Sequence, residues 1–254
     1  INKSKLLKDS TIGLITPSSP LFPGRLEASV SFFEDIGCKV KVGKNNTKVD
    51  RFLAGTDEER AEDIMLFFKD SEVDALVVTG GGAGSIRTLP LLDYAVIKNN
   101  LKPIIGFSDT TSLQLGIYSQ TKLQSYTGFS CKDIAEQESI DPLTEDSFVN
   151  CFLRKNYSVS GGSTVNTGQV SATLIGGNLQ SLCHLIGTRF QPDFKNKILF
   201  FEEVHSEPYV IDGMLAQLYL AGIFDDVSGV IIGKFKSCEA KFYPERDGTY
   251  DDVI

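Results

Sequence analysis

Lys102-Pro103-Ile104-Ile105-Gly106-Phe107-Ser108-Asp109-Thr110-Thr111 is the stretch on which the fold turns. Pro103 to Ile105 is short and apolar, as a buried strand requires, and Gly106 supplies conformational freedom at its end. Asp109, Thr110 and Thr111 are helix-starting side chains, so a strand is expected to run straight into a helix with Ser108 at the join. At a helix N-terminus the unpaired amides and the dipole favour negative charge. The amide of Asp109 is therefore placed to face an oxyanion formed by attack from Ser108. This is the logic of a nucleophile elbow, although Gly106-Phe107-Ser108-Asp109-Thr110 lacks the second glycine of G-x-S-x-G. Locally, a plain capping role for Ser108 remains the commoner reading.

Working outward from this stretch, the N-terminal side alternates strands with helices. Thr11 to Thr16 reads as a strand broken by Pro17-Ser18-Ser19-Pro20, Arg25 to Ile36 as a helix, and Cys38 to Val42 as a second strand. Thr56-Asp57-Glu58-Glu59 is a capping box for a helix reaching about Lys69. Asp74 to Thr79 is a strand apolar enough to be buried on both faces, and Gly80-Gly81-Gly82-Ala83-Gly84-Ser85 follows at once. A short helix, Asp93 to Asn99, then returns the chain to the Ser108 strand and to a helix over Asp109 to Gln120. The fold class is α/β, with an N-terminal, open, mainly parallel sheet flanked by helices. Sites are expected beyond the carboxyl ends of its strands, where both the glycine loop and Ser108 fall.

On the C-terminal side the pattern weakens. One helix is expected over about Thr144 to Leu153, and Ser158 to Ser163 reads as a linker, dividing the chain into domains 1–160 and 161–254. The second, smaller α/β domain contains a strand over Gln169 to Ile175 and Gly176-Gly177-Asn178 leading into a helix through Leu185. A strand over Ile198 to Phe201 ending in Glu202-Glu203, a helix over Asp212 to Ala221 and a strand over Val227 to Gly233 follow. Thr249 to Ile254 has the polarity of a helix start, so this domain reads as incomplete.

With 41% apolar and 23% charged residues, the chain has the composition of a soluble globular protein. A net charge of -8 without a basic stripe argues against a nucleic-acid partner, and the lack of a bilayer-length apolar run argues against a membrane span. Cys38, Cys131, Cys151, Cys183 and Cys238 are scattered and lack C-x-x-C spacing, which favours free thiols in a reducing compartment.

Three further features bear on chemistry. The glycine loop fails the dinucleotide and P-loop patterns, since position 85 is Ser, position 87 is Arg and no Gly-Lys-Ser/Thr occurs; its exposed amides suit close approach to a ligand or to a packed neighbour. Glu202 closes an apolar strand, so its carboxylate is expected at the functional edge of the sheet, an exposed loop acid being the alternative. A carboxylate there suits orienting a histidine that serves Ser108 as base. Neither histidine makes that base convincingly: His184 sits within a helix, and His205 is tied too closely in sequence to Glu202.

Taken together, several ordered segments resemble the LD-carboxypeptidase family of serine peptidases, which includes the microcin C immunity peptidases. The likeness runs from about Thr11 to Phe235. It is carried by Ile12 to Pro20, the glycine loop with Arg87, Leu89 to Tyr94, Gly106-Phe107-Ser108-Asp109, Gly176-Gly177-Asn178, Ile198 to Glu203 and Tyr209 to Gly233. The resemblance implies a Ser-Glu-His triad with Ser108 as nucleophile and Glu202 as the orienting acid. It also implies an oxyanion hole built from the Asp109 amide and one of Gly81 or Gly82. The implied reaction is hydrolysis of an amide between an L-centre and a D-amino acid, typically release of terminal D-Ala from murein tetrapeptide in cytoplasmic cell-wall recycling, without metal or organic cofactor. The small peptide is then the partner expected, and family members are often homodimers. Two departures stand out. Gly80 and Ala83 replace an arginine and an aromatic residue usual in the family's loop, and the family's histidine lies C-terminal to the region compared.

Overall fold

Five short strands, all parallel, build the first sheet: β1 (Thr11–Ile15), β2 (Lys39–Val42), β3 (Ala75–Val78), β4 (Ile104–Gly106) and β5 (Tyr126–Thr127), in the order β2-β1-β3-β4-β5. The computed structural model describes residues 9–131, 147, 158 and 160–254. It divides into two compact units, Ile1–Val165 and Asn166–Ile254. The helix expected over 144–153 lies, apart from Ser147, outside the described residues. Among those residues no helix is long and apolar enough to cross a membrane.

In the first unit β1, β3 and β4 are buried throughout, as their unbroken apolar runs require of central parallel strands. Ile12 and Leu14 of β1, Ala75 and Val77 of β3 and Ile105 of β4 share one face and pack with Phe33, Cys38, Phe129 and Cys131. Phe33 comes from α1 (Arg25–Asp35). The next helix, α2 (Asp57–Lys69), begins with the expected capping box, Thr56 Oγ1 accepting from the Glu59 amide and Glu59 accepting from the Thr56 amide. After β3 the glycine loop leads into a 3-10 helix, Ser85–Leu91, which the sequence pattern had not indicated; α3 (Tyr94–Asn99) follows, capped by Asp93, and α4 (Thr110–Thr121) follows β4. In this strand order the direction of winding reverses between β1 and β3. The crevice of an open parallel sheet is expected at that reversal, beyond the carboxyl ends of the two strands.

The second unit is built on a three-stranded parallel sheet, β6 (Thr173–Asn178), β7 (Lys197–Val204) and β8 (Gly229–Lys236), with β7 central. Its helices are α5 (Leu179–Cys183), α6 (Pro208–Leu220), α7 (Ile223–Asp226) and α8 (Pro244–Asp247). Several boundaries differ from the sequence expectation, β6 beginning at Thr173 and β8 covering Gly229–Lys236 among them. Gly176 and Gly177 lie inside β6, paired with Phe200 and Phe201, so the strand continues past Ile175 to Asn178 before α5 begins. Gly176 has φ 143°, and a Cβ there would stand 1.6 Å from the Phe200 carbonyl oxygen, so the glycine is needed for strand contact. α6 starts at Pro208, which occupies a first-turn position where its missing N–H costs nothing, and not at Asp212. Finally, Glu202 and Glu203 are members of β7, the register shifting between Phe201 and Glu203.

Candidate active site

Ser108 is the strained residue of the elbow. Its φ is 66°, a left-handed conformation that L side chains seldom adopt, whereas Gly106, expected to carry the unusual backbone, has an ordinary strand φ. Gly106 is needed for space: a Cβ would lie 2.5 Å from Thr110 Oγ1 and 3.1 Å from Val78. The sharp turn lifts the half-buried Ser108 side chain off the end of β4 and starts α4 immediately behind it, with the Thr111 amide donating to the Ser108 carbonyl (2.9 Å) and Thr110 Oγ1 to the Phe107 carbonyl (3.0 Å).

The glycine loop lies directly against this serine. A Cβ on Gly81 would stand 2.9 Å from Ser108 Cβ and 3.2 Å from Oγ, so only glycine lets the loop backbone approach the hydroxyl. Gly82, with φ 114°, is excluded from carrying a side chain by Ser19, whose Oγ would lie 2.2 Å from it. The Ser19 amide donates to the Gly81 carbonyl (3.3 Å), and Ser19 Oγ accepts from the Ala83 amide (3.1 Å). Asp109 does not cap α4 with its side chain, contrary to the sequence reading. Buried at 6% exposure, its carboxylate accepts from Ser18 Oγ (2.7 Å), the Gly84 amide (3.2 Å) and the Ser85 amide (2.9 Å). These bonds do not involve the amides of Gly81, Gly82 and Asp109; of the two glycines, Gly81 lies against the Ser108 side chain and Gly82 against Ser19.

Arg60 completes the loop's support. Fully buried, it donates through Nη1 to the carbonyls of Pro17 (2.5 Å) and Gly84 (2.8 Å), and its Nη2 pairs with Asp57, which also holds Arg87 (2.8 Å). Burial pulls its guanidinium below the usual arginine range, opposed by the charge of Asp57. Ser18, Ser19 and Arg60 had not been singled out from sequence. The signal available was the polar Ser18-Ser19 pair at the end of β1, where the sheet reverses.

In the second unit, Glu202 and Glu203 are both buried but differently served. Glu203 accepts from the Asn178 side-chain amide (3.1 Å), the Val204 amide (2.8 Å) and the Gln180 amide (2.9 Å). Glu202, opposite Asn178 in the ladder, has a buried Oε1 with no hydrogen-bond partner. Burial, then the charge of Glu203, push its carboxyl up to about 7, against a lowering hydrogen bond from Asn178. Gly233 makes room for it, since a Cβ there would come within 2.9 Å of Glu202 Cβ. His184 and His205 are exposed, and neither is bonded to that orphaned oxygen. Among the described residues no group of three or more His, Cys, Asp or Glu side chains is arranged to hold a metal ion. The structure thus brings Ser108, Asp109, Gly81 and Gly82 together in the first unit, while Glu202 stands in the second.

Comparison with known proteins matches residues 12–128 to the LD-carboxypeptidase N-terminal domain and residues 171–254 to the LD-carboxypeptidase C-terminal domain. The chain belongs to the LD-carboxypeptidase family. A probable murein peptide carboxypeptidase of Bacillus subtilis is 34% identical over 237 residues, covering 92% of this chain and 74% of that protein. A solved structure of the muramoyltetrapeptide carboxypeptidase from Oxalobacter formigenes superposes with a TM-score of 0.85 at 26% identity, covering 96% of this chain and 82% of that one. The microcin C7 self-immunity protein MccF, solved in complex with aspartyl sulfamoyl adenosine, superposes with a TM-score of 0.84 at 27% identity, covering 98% and 85%. The open parallel α/β sheet with a smaller second sheet domain is thus the architecture of this family.

Proposed function

We propose that this LD-carboxypeptidase is a serine enzyme that releases terminal D-Ala from murein tetrapeptide during cell-wall recycling in the cytoplasm. The observation that carries the reading is the left-handed Ser108, with the Gly81 backbone packed against its side chain and the helix α4 starting directly behind it. In the proposed reaction Ser108 Oγ attacks the carbonyl carbon of the LD-amide, and the resulting oxyanion is received by the Asp109 amide and an amide of Gly81 or Gly82. A histidine takes the serine proton and returns it to the nitrogen of the departing D-amino acid, after which water attacks the acyl-enzyme by the same route. Glu202 orients that imidazole and balances its charge. Its unsatisfied Oε1 supports the assignment, because a buried carboxylate oxygen costs free energy until a donor reaches it. The role of base is assigned to neither His184 nor His205.

The likeness to MccF supports a second substrate class within the same chemistry, an aminoacyl-nucleotide antibiotic, for which Ala83 leaves room where the family usually carries an aromatic side chain. Mass spectrometry of the intact protein incubated in parallel with murein tetrapeptide and aspartyl sulfamoyl adenosine separates the two. The reading predicts D-Ala release and preferred turnover of the tetrapeptide. Preferred cleavage of the sulfamoyl adenosine would assign immunity instead, and binding of either without cleavage would identify an inactive homologue.

A further inference from the structure

We propose that the Asp109 side chain is a positioning residue that latches the glycine loop across the sheet's reversal point and so sets the oxyanion-binding amides against Ser108. The proposal rests on the serine-peptidase reading above but concerns a group to which that reading gives no role, since only the Asp109 backbone enters it. Residue 109 sits at the start of α4, beyond β4, yet its carboxylate reaches both strand ends that flank the crevice. It takes Ser18 Oγ from the end of β1 and the amides of Gly84 and Ser85 from the loop after β3. The Ser85 hydroxyl answers by donating to the Asp109 carbonyl (2.8 Å), so residues 85 and 109 hold each other through both side chains. The Gly84 peptide is gripped from both sides, its N–H by Asp109 and its C=O by Arg60. The amides at 83, 84 and 85 are thereby consumed in fixing the loop, by Ser19 and by Asp109, while those at 81 and 82 stay free for a ligand. One residue thus contributes an amide to the site through its backbone and fixes the opposing amides through its side chain.

Asparagine is the informative replacement. It keeps the shape of aspartate but offers one acceptor oxygen and one NH2 group to three converging donors. The Ser18 hydroxyl can rotate and accept, but a backbone N–H cannot. In either amide orientation Gly84 or Ser85 therefore faces a donor and loses its partner. Displacing an oxyanion donor by a fraction of an ångström to an ångström acts on the transition state and hardly on the bound substrate.

The test compares intact wild type with Asp109→Asn by hydrogen exchange of the Gly80–Ser85 segment and by steady-state hydrolysis of murein tetrapeptide. The proposal expects faster exchange in that segment and kcat lower by about 10²-fold with KM changed by less than about twofold. Unaltered exchange, or faster exchange with kcat intact, overturns it, and so does a rise in KM alone. Should Asp109→Asn fail to fold, Ser18→Ala is read by the same two measurements, with a smaller drop of about three- to tenfold expected in kcat. If wild type does not cleave the tetrapeptide, the rate of fluorophosphonate labelling at Ser108 replaces kcat. Faster loop exchange with slower labelling then supports the latch while the substrate assignment fails, and unchanged labelling rejects the latch.

Discussion

Around Ser108 the polar groups that shape the backbone have partners: Asp109 holds three donors, Ser19 ties two loop peptides, and Arg60 takes two carbonyls. Around Glu202 the group left over is a buried acceptor. Its neighbour Glu203 absorbs the amides of Gln180 and Val204, and the Glu202 Oε1 is left buried without a donor. The first region holds its loop by many bonds, and the buried side-chain atom of that support left without a partner is a donor, Arg60 Nε. The second carries a carboxylate held at a cost to folding, which is what a group reserved for a further partner looks like.

Glu202→Gln should break this contrast with the largest effect. Loss of the orienting charge is expected to lower kcat by roughly 10³-fold or more, measured on murein tetrapeptide. The same change should stabilise the second unit, with a sign set by linkage. Because burial lifts the folded carboxyl from 4.5 to about 7, wild type keeps the full stability of this region below about pH 4.5 and loses it as pH rises through about 7. The variant does not titrate. Its advantage should thus be absent at pH 4 and grow towards pH 8, to a ceiling of roughly 3 kcal/mol by urea unfolding. An equal effect at both pH values would mean that the carboxylate is not held at a cost.

Gly81→Ala probes the first region. Its Cβ would press on Ser108, so a fall in kcat of about 10²-fold together with a loss of about 1 kcal/mol or more in urea unfolding is expected. Gly176→Ala probes the frame that carries Glu202. With the new methyl driven into the Phe200 carbonyl, loss of about 3 kcal/mol or more in urea unfolding is expected. The smallest effect concerns strain at the elbow itself. At φ 66° glycine is more comfortable than alanine, so Ser108→Gly should be more stable than Ser108→Ala by about 1 kcal/mol, both inactive.

Much of this contrast was legible in the chain where the determining signal was local. The apolar runs of β1, β3 and β4, the Thr56–Glu59 capping box and the strand-to-helix step at Ser108 all rest on neighbours a few residues apart. The placing of the glycine loop and of Ser108 just beyond the ends of β3 and β4 was legible for the same reason, since glycines and a helix start are sequence features. What was not legible depended on distant contacts. Asp109 reads as a helix cap until Ser18, 91 residues earlier, and Ser85 are seen on its oxygens. Arg60 reads as an ordinary helix residue until Pro17 and Gly84 turn their carbonyls onto it. Gly176 and Gly177 read as lying past the end of a strand because glycine commonly punctuates chains, whereas here they are part of β6 and serve its close passage along β7.

The central claim is that the hydroxyl at position 108 is the reacting group. Treating the intact protein with a fluorophosphonate and mapping the adduct by peptide mass spectrometry tests it most directly. The account predicts a single modification on the peptide carrying Ser108, with loss of tetrapeptide cleavage in step with labelling. An adduct on another residue, or cleavage that continues once Ser108 is fully blocked, would contradict it.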